Sequence, residues 1–159
     1  GIWPVASVEQ GFGLSTLSGN WTGSRTNTQL GRCLPDGSVE SNVAMQGRTS
    51  ITPLNFKLSV DPAGKVVLEE IANDPADDYP RRWEGQVTPN LEITLGRTQV
   101  AICSGQGNSY HTTYTGQVVL KKARARLRLE GTEDKCPDID CRFRVTLDAK
   151  KTMKGVPSK

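Results

Sequence analysis

An alternation of apolar and polar residues over the last forty residues restricts the fold more than any other feature of this sequence. It runs along two limbs, residues 121–130 and 142–151, on either side of the stretch GTEDKCPDIDC. Alternation with a period of two is typical of strands that have one buried face and one solvated face. The sequence therefore predicts a terminal β-hairpin, whose inward residues are Ala123, Ala125, Leu127, Leu129, Phe143, Val145 and Leu147.

The opposite face of this predicted hairpin carries five arginines. A slip of one residue in the pairing would bury every guanidinium group, so the register is strongly specified. Glu84 and Glu92 on neighbouring strands are candidates to neutralise the charge. Otherwise the face is either simply solvated or a site for the phosphate, sulfate or carboxylate groups of an anionic partner, which guanidinium groups bind well. The arginines are Arg124, Arg126, Arg128, Arg142 and Arg144.

No aromatic residue is expected to be exposed on this face as a stacking platform, so the pattern does not favour nucleic acid as the partner. The net charge of +3 hides an asymmetry along the chain. Residues 1–120 contain eight Lys and Arg against eleven Asp and Glu, a net of −3, whereas residues 121–159 contain twelve against six, a net of +6. The basic character belongs to the terminal hairpin and tail.

The rest of the chain reads as short strands separated by turns rich in Gly, Pro, Asn and Asp, without a convincing helix. Connections are expected at 73–80 and 104–109. Eight or nine sequentially adjacent antiparallel strands tend to close, because closure removes exposed edges. We expect an all-β fold, an antiparallel up-and-down β-barrel, with a two-sheet β-sandwich as the alternative. The other predicted strands cover residues 17–28, 39–46, 54–60, 65–72, 82–88, 91–102 and 110–121.

At 159 residues the chain is expected to form one domain. Residues 1–18 are too apolar for a free tail and should pack on the barrel, whereas 152–159 should be a frayed, basic tail. No apolar run of 18 residues is present, so no transmembrane segment is expected.

The four cysteines indicate two disulfides. Their spacing does not suit a zinc site, and the only histidine is His111. Disulfides point to an oxidising compartment, so we expect the mature form of a secreted or periplasmic protein, with its signal peptide removed. Because Cys136 and Cys141 are so close in sequence, the pairing Cys33–Cys103 with Cys136–Cys141 is preferred.

The tripeptide Gly19-Asn20-Trp21 resembles the G-x-W motif that opens the first strand of lipocalins and other calycins. Length and strand layout agree with this resemblance. It implies a structural role for Gly19 and Trp21, with the tryptophan closing the barrel floor beneath an arginine of the last strand, either Arg142 or Arg144. It also implies a calycin-like barrel that binds a ligand.

We therefore expect a non-enzymatic protein that binds a small, partly apolar or amphipathic ligand in the barrel. The first alternative is a binding or inhibitory protein that uses the arginine face on an anionic macromolecule. The second is a barrel enzyme, a hydrolase or isomerase. No catalytic residue, metal or cofactor is predicted, since His111 stands alone and the acidic turn at 74–78 matches no calcium loop. The candidate cup residues are Phe56, Leu58, Trp83, Ile93 and Tyr114.

Overall fold

Eight antiparallel strands form a closed up-and-down β-barrel. The computed structural model describes residues 13–33, 47–72 and 81–152. Each strand pairs with the next one in sequence, and the last strand pairs with the first. The predicted barrel is confirmed and the two-sheet sandwich is wrong. The strands are β1 (Gly19–Gln29), β2 (Thr49–Val60), β3 (Lys65–Glu70), β4 (Arg82–Val87), β5 (Glu92–Cys103), β6 (Gln106–Lys121), β7 (Arg124–Cys136) and β8 (Cys141–Thr152).

Two predicted connections are shorter than expected. The loop predicted at 104–109 is only the turn Ser104-Gly105, where both residues have positive φ, as tight hairpin turns require. The stretch GTEDKCPDIDC is mostly strand, because β7 continues to Cys136 and only residues 137–140 connect it to β8. The predicted strand at 39–46, the loop at 73–80, residues 1–12 and the tail from 153 lie outside the described residues.

Two short 3₁₀ helices mark the ends of the barrel. The first, Leu14–Leu17, lies before β1 and buries both of its leucines. The second, Pro137–Ile139, connects β7 to β8. We call the end beside Leu14–Leu17 the helical end and the end beside Pro137–Ile139 the disulfide end, since both disulfides lie there.

Most of the apolar core lies in the half of the barrel near the helical end. Trp21 is 1% exposed, stacks on Phe56 with ring centroids 6.1 Å apart, and donates its indole N–H to the carbonyl of Leu17 at 2.9 Å. The terminal hairpin contributes six of its seven predicted inward residues, whereas Ala123 lies half-buried in the turn before β7. Buried residues of this core include Leu54, Leu58, Val66, Leu68, Ile93, Leu95, Ala125, Leu127, Leu129, Leu147 and Ala149.

The predicted arginine over Trp21 is wrong. Arg144 pairs across the sheet with Thr28, and the carbonyl of Arg142 accepts from Leu30, so both lie near the disulfide end. The cation near the start of β1 is Lys151, whose Cε would be 2.6 Å from a Cβ at position 19. Gly19 also has φ +135°, so a side chain there would be strained as well as obstructed.

Both disulfides are present, but the predicted pairing is wrong. Cys33 bonds to Cys141 and Cys103 bonds to Cys136, and no cysteine of the chain is free. Barrel closure brings the residues after β1 beside the start of β8, as the hydrogen bond from Arg32 N to Asp140 O at 2.7 Å shows. Proximity in space therefore overrides proximity in sequence.

We predict that digestion of the unreduced protein will release peptides joined as Cys33–Cys141 and Cys103–Cys136. The protease Asp-N cleaves before Asp138 and Asp140 and so separates Cys136 from Cys141, which makes the pairing readable by mass spectrometry. Thiol titration of the denatured, unreduced protein should find no reactive thiol. A fragment in which Cys136 is bonded to Cys141 would contradict this pairing.

We predict that Trp21→Ala will lower the free energy of unfolding by about 3–5 kcal/mol, because it removes a large buried ring and its hydrogen bond. Denaturant titration measures this loss. Ile51→Ala serves as the control, since Ile51 is 69% exposed and its truncation should change stability by less than about 0.5 kcal/mol. A loss of less than about 1 kcal/mol for Trp21→Ala would contradict its role in the core.

Candidate functional site

The interior of the barrel becomes polar toward the disulfide end. On β1 the inward positions that follow Trp21 are occupied by Gly23, Arg25, Asn27 and Gln29. Strand alternation continues along β1, so these polar side chains enter the barrel at the positions that apolar residues occupy nearer the helical end. The same change occurs on β5, where Arg97 and Gln99 follow Ile93 and Leu95, and on β7, where Glu133 and Lys135 follow Leu127 and Leu129. We call the following side chains the polar layer: Arg25, Asn27, Gln29, Glu70, Arg97, Gln99, Thr112, Glu133 and Lys135.

Glu70 is the centre of a buried ion-pair network in the polar layer. Its carboxylate accepts from Arg25 at 2.8 Å, from Arg97 at 3.4 Å and from the indole N–H of Trp83 at 3.1 Å. The side chains of Glu70 and Arg97 are 4% and 9% exposed. A buried carboxylate needs such partners, because an unpaired charge away from water is very costly.

Arg97 is held over the indole ring of Trp83, with its guanidinium carbon 3.9 Å from the ring centroid. Burial lowers the pKa of Arg97, and the neighbouring carboxylate of Glu70 opposes that effect. The stacked geometry and the ion pair together fix the guanidinium group at the boundary between the apolar core and the polar layer.

A second pair lies beside the Glu70 network. The phenol of Tyr114 donates a short hydrogen bond to Glu133, and its ring meets Trp83 edge-on with centroids 4.3 Å apart. Burial raises the pKa of Tyr114, and the negative charge of Glu133 raises it further. Glu133 also lies 4.0 Å from the ammonium group of Lys135, which is placed 5.2 Å from the ring centroid of Phe143.

Several buried polar atoms of the polar layer have no hydrogen-bond partner among the described residues. Buried polar atoms in proteins are nearly always paired with protein, water or ligand, so a group of unpaired ones indicates a site for polar molecules. Three are donors on Arg25, Arg97 and Gln99, and three are oxygens on Asn27, Gln29 and Thr112. These atoms are Arg25 Nε, Arg97 Nε, Gln99 Nε2, Asn27 Oδ1, Gln29 Oε1 and Thr112 Oγ1.

The predicted cup residues lie on the core side of the polar layer. Phe56, Leu58 and Ile93 are at most 1% exposed, so side chains fill the barrel at their level. Trp83 and Tyr114 are equally buried, but their polar atoms reach Glu70 and Glu133. Sequence reasoning missed Arg25, Glu70, Arg97 and Glu133, and alternation could not have found Arg25, because both faces of the second half of β1 are polar.

The predicted arginine face divides into two parts. Three of its arginines are paired with acids, which are not the predicted Glu84 and Glu92. Arg124 and Arg126, by contrast, are exposed and have no ion-pair partner within the described part of the chain. The observed pairs are Arg128 with Asp148 at 3.6 Å, Arg144 with Glu130 at 3.4 Å, and Arg142 with Asp140 through a short hydrogen bond.

His111 lies on the outside of the barrel. Its Nδ1 is 3.0 Å from the hydroxyl of Thr98, and its side chain is exposed. Among residues 13–33, 47–72 and 81–152, no group of three His, Cys, Asp or Glu side chains is arranged to hold a metal ion. The same residues include no helix long and apolar enough to cross a membrane.

No protein-family model matches the sequence, and no curated protein matches it. The class of protein is therefore defined by the structure itself. It is a closed eight-stranded antiparallel β-barrel with two disulfides, an architecture compatible with a calycin-like fold.

We predict that Tyr114→Phe will lower the free energy of unfolding by about 1–3 kcal/mol, because Glu133 loses a buried hydrogen-bond donor. Denaturant titration at neutral pH measures the loss. Thr115→Val, an exposed change on the same strand, should alter stability by less than about 0.5 kcal/mol.

The pH dependence provides a second readout of the same substitution. Because the pKa of Tyr114 is raised in the folded state, only the unfolded chain releases this proton near pH 10, so stability falls as pH rises above that value. Tyr114→Phe should remove this part of the alkaline loss. An unchanged slope of stability against pH in the variant would contradict the buried phenol.

Proposed function

We propose that the protein is a non-enzymatic binding protein of an oxidising compartment, secreted or periplasmic, that holds a small, partly apolar molecule inside the barrel. The observation that carries this proposal is the set of six unpartnered polar atoms within the polar layer. Such atoms cost stability when they stay unpaired, and a bound molecule would satisfy them. The two disulfides support the compartment, since they persist where the environment is oxidising.

The charges of the polar layer favour a ligand with an acidic group. Arg25, Arg97 and Lys135 supply three positive charges, while Glu70 and Glu133 supply two negative ones, so one positive charge is in excess. Two of the unpartnered donors are guanidinium N–H groups, which bind carboxylates through charge-assisted hydrogen bonds. Phe143 and Val145 face Gln29 and Asn27 across the β1–β8 pair and are each 1% exposed, so the apolar part of the ligand would reach them only if side chains of the polar layer moved aside.

The arrangement favours binding over catalysis. A general base needs a carboxylate free to accept a proton, but Glu70 already accepts from three donors. Glu133 is engaged by Tyr114, whose raised pKa keeps its phenol protonated. The barrel-enzyme alternative is therefore less well supported. The same holds for the anionic-macromolecule alternative, because three of the five arginines that it requires are ion-paired with acids.

We predict that Thr112→Val will weaken ligand binding without weakening the fold. Thr112 is 1% exposed and its hydroxyl has no hydrogen-bond partner in the part of the chain that the structure describes, so valine of the same shape should leave the free energy of unfolding unchanged or raise it. Native mass spectrometry of the purified protein would first detect a co-purified molecule. Titration with the fluorescent probe 11-(dansylamino)undecanoic acid then measures affinity, with a loss of roughly fivefold expected from one hydrogen bond worth about 1 kcal/mol.

Two comparisons make this experiment specific. Thr113→Val is the matched control, because Thr113 is the adjacent, exposed residue of the same strand and should leave the affinity unchanged. The methyl ester of the probe should bind more weakly than the acid. The proposal is wrong if native mass spectra show no ligand and neither probe binds saturably, or if Thr112→Val binds the acid as tightly as the wild type.

A further inference from the structure

A cationic pocket lies on the outside of the barrel at the helical end, away from the polar layer. It has a volume of about 650 Å³ and is formed where the start of β1 meets the end of β8 and the start of β7. Asn20 and Thr22 flank the inward Trp21 and therefore face outward. The pocket is lined by Ser18, Gly19, Asn20, Thr22, Arg124, Lys150 and Lys151.

The charge of this pocket is positive, and two of its three cations have no acidic partner within the described part of the chain. Arg124 and Lys150 are exposed and have no ion-pair partner there, and Lys151 is half-buried at the edge of Gly19. Lys150 lies between Arg126 on β7 and Thr22 on β1, so another cation adjoins the pocket. The nearest acid on β8 is Asp148, and it is paired with Arg128.

The polar groups of the pocket include free hydrogen-bonding capacity. Neither the amide of Asn20 nor the hydroxyl of Thr22 has a side-chain hydrogen bond with any described residue. The hydroxyl of Ser18, in contrast, already forms two hydrogen bonds, since it accepts from Val60 N at 2.9 Å and donates to Val60 O at 3.2 Å. Ser18 therefore holds the pocket edge in place, whereas Asn20 and Thr22 remain available to a ligand.

We propose that this pocket binds a small phosphorylated molecule. The fork of Arg124 and the ammonium group of Lys150 suit a phosphate group, and the amide and hydroxyl suit the polar remainder of the ligand. The volume lies within the range of small-molecule sites, about 300–1,000 Å³. No lining residue is aromatic, so the pocket offers no platform for the stacked bases of a nucleic acid.

The test is a two-dimensional amide NMR titration with inorganic pyrophosphate at constant ionic strength. The proposal expects saturable shifts concentrated at Gly19, Asn20, Thr22 and Lys150. The double variant Arg124→Gln/Lys150→Gln should bind at least tenfold more weakly. Arg144→Gln is the matched control, because Arg144 is also exposed but lies near the disulfide end and is paired with Glu130. The affinity of this variant for pyrophosphate should equal that of the wild type.

Two results would overturn the proposal. One is a titration that does not saturate, and the other is an equal loss of affinity in Arg144→Gln, which would indicate general attraction to a basic protein. In the first case, retention on a heparin column that Arg126→Gln abolishes would assign these cations to an anionic macromolecule. Unchanged thermal unfolding of the double variant ensures that the comparison is made between folded proteins. None of these outcomes depends on the ligand in the barrel.

Discussion

Pairing between β1 and β8 closes the sheet, and the rest of the structure depends on that closure. The two strands are in register from Thr22 opposite Lys150 to Gln29 opposite Phe143. Because the first and last strands satisfy each other's backbone groups, no exposed edge is left at this junction. Closure also places Cys33 beside Cys141 at one end and Asn20 and Thr22 beside Lys150 at the other, so one disulfide and the cationic pocket are both consequences of it.

The interior that closure creates is divided between an apolar core and the polar layer. In the low dielectric of a barrel interior, an unpaired charge is expensive, which accounts for the three donors on Glu70 and the phenol on Glu133. Trp83 and Tyr114 span the boundary, with rings in the core and polar atoms in the layer. A buried ion-pair network of this kind is not needed for stability alone, since apolar residues could fill the same space. The unpartnered polar atoms beside this network are what make a binding function the best-supported proposal.

β1 contributes residues to both proposed sites, because its inward and outward faces belong to different sites. Inward residues of β1 near the disulfide end belong to the polar layer, and its outward residues near the helical end line the cationic pocket. The two sites therefore lie at opposite ends and on opposite sides of the barrel wall. A change at one, such as Thr112→Val, leaves the residues of the other untouched.

The sequence by itself determined which face of each regular strand is buried. Alternation in the terminal hairpin and the apolar series from Leu54 to Val60 predicted inward residues that, apart from Ala123, are buried, and the number of short strands predicted a closed barrel. Alternation is a local property of a pleated strand, so it can be recognised without knowing the neighbours. Where both faces are polar, as in the second half of β1, alternation does not indicate which face is inward. For that reason the polar layer was not predicted.

Tertiary structure decided which residues meet across the barrel. The partners of the four cysteines, the acids that neutralise Arg128 and Arg144, and the cation near Gly19 all depend on strand register and on closure between the two ends of the chain. Cys136 and Cys141 face each other across the last hairpin, yet each bonds to a cysteine far away in sequence. The pairing register depends on the geometry of every strand around the barrel, so it cannot be predicted from a local pattern in the sequence.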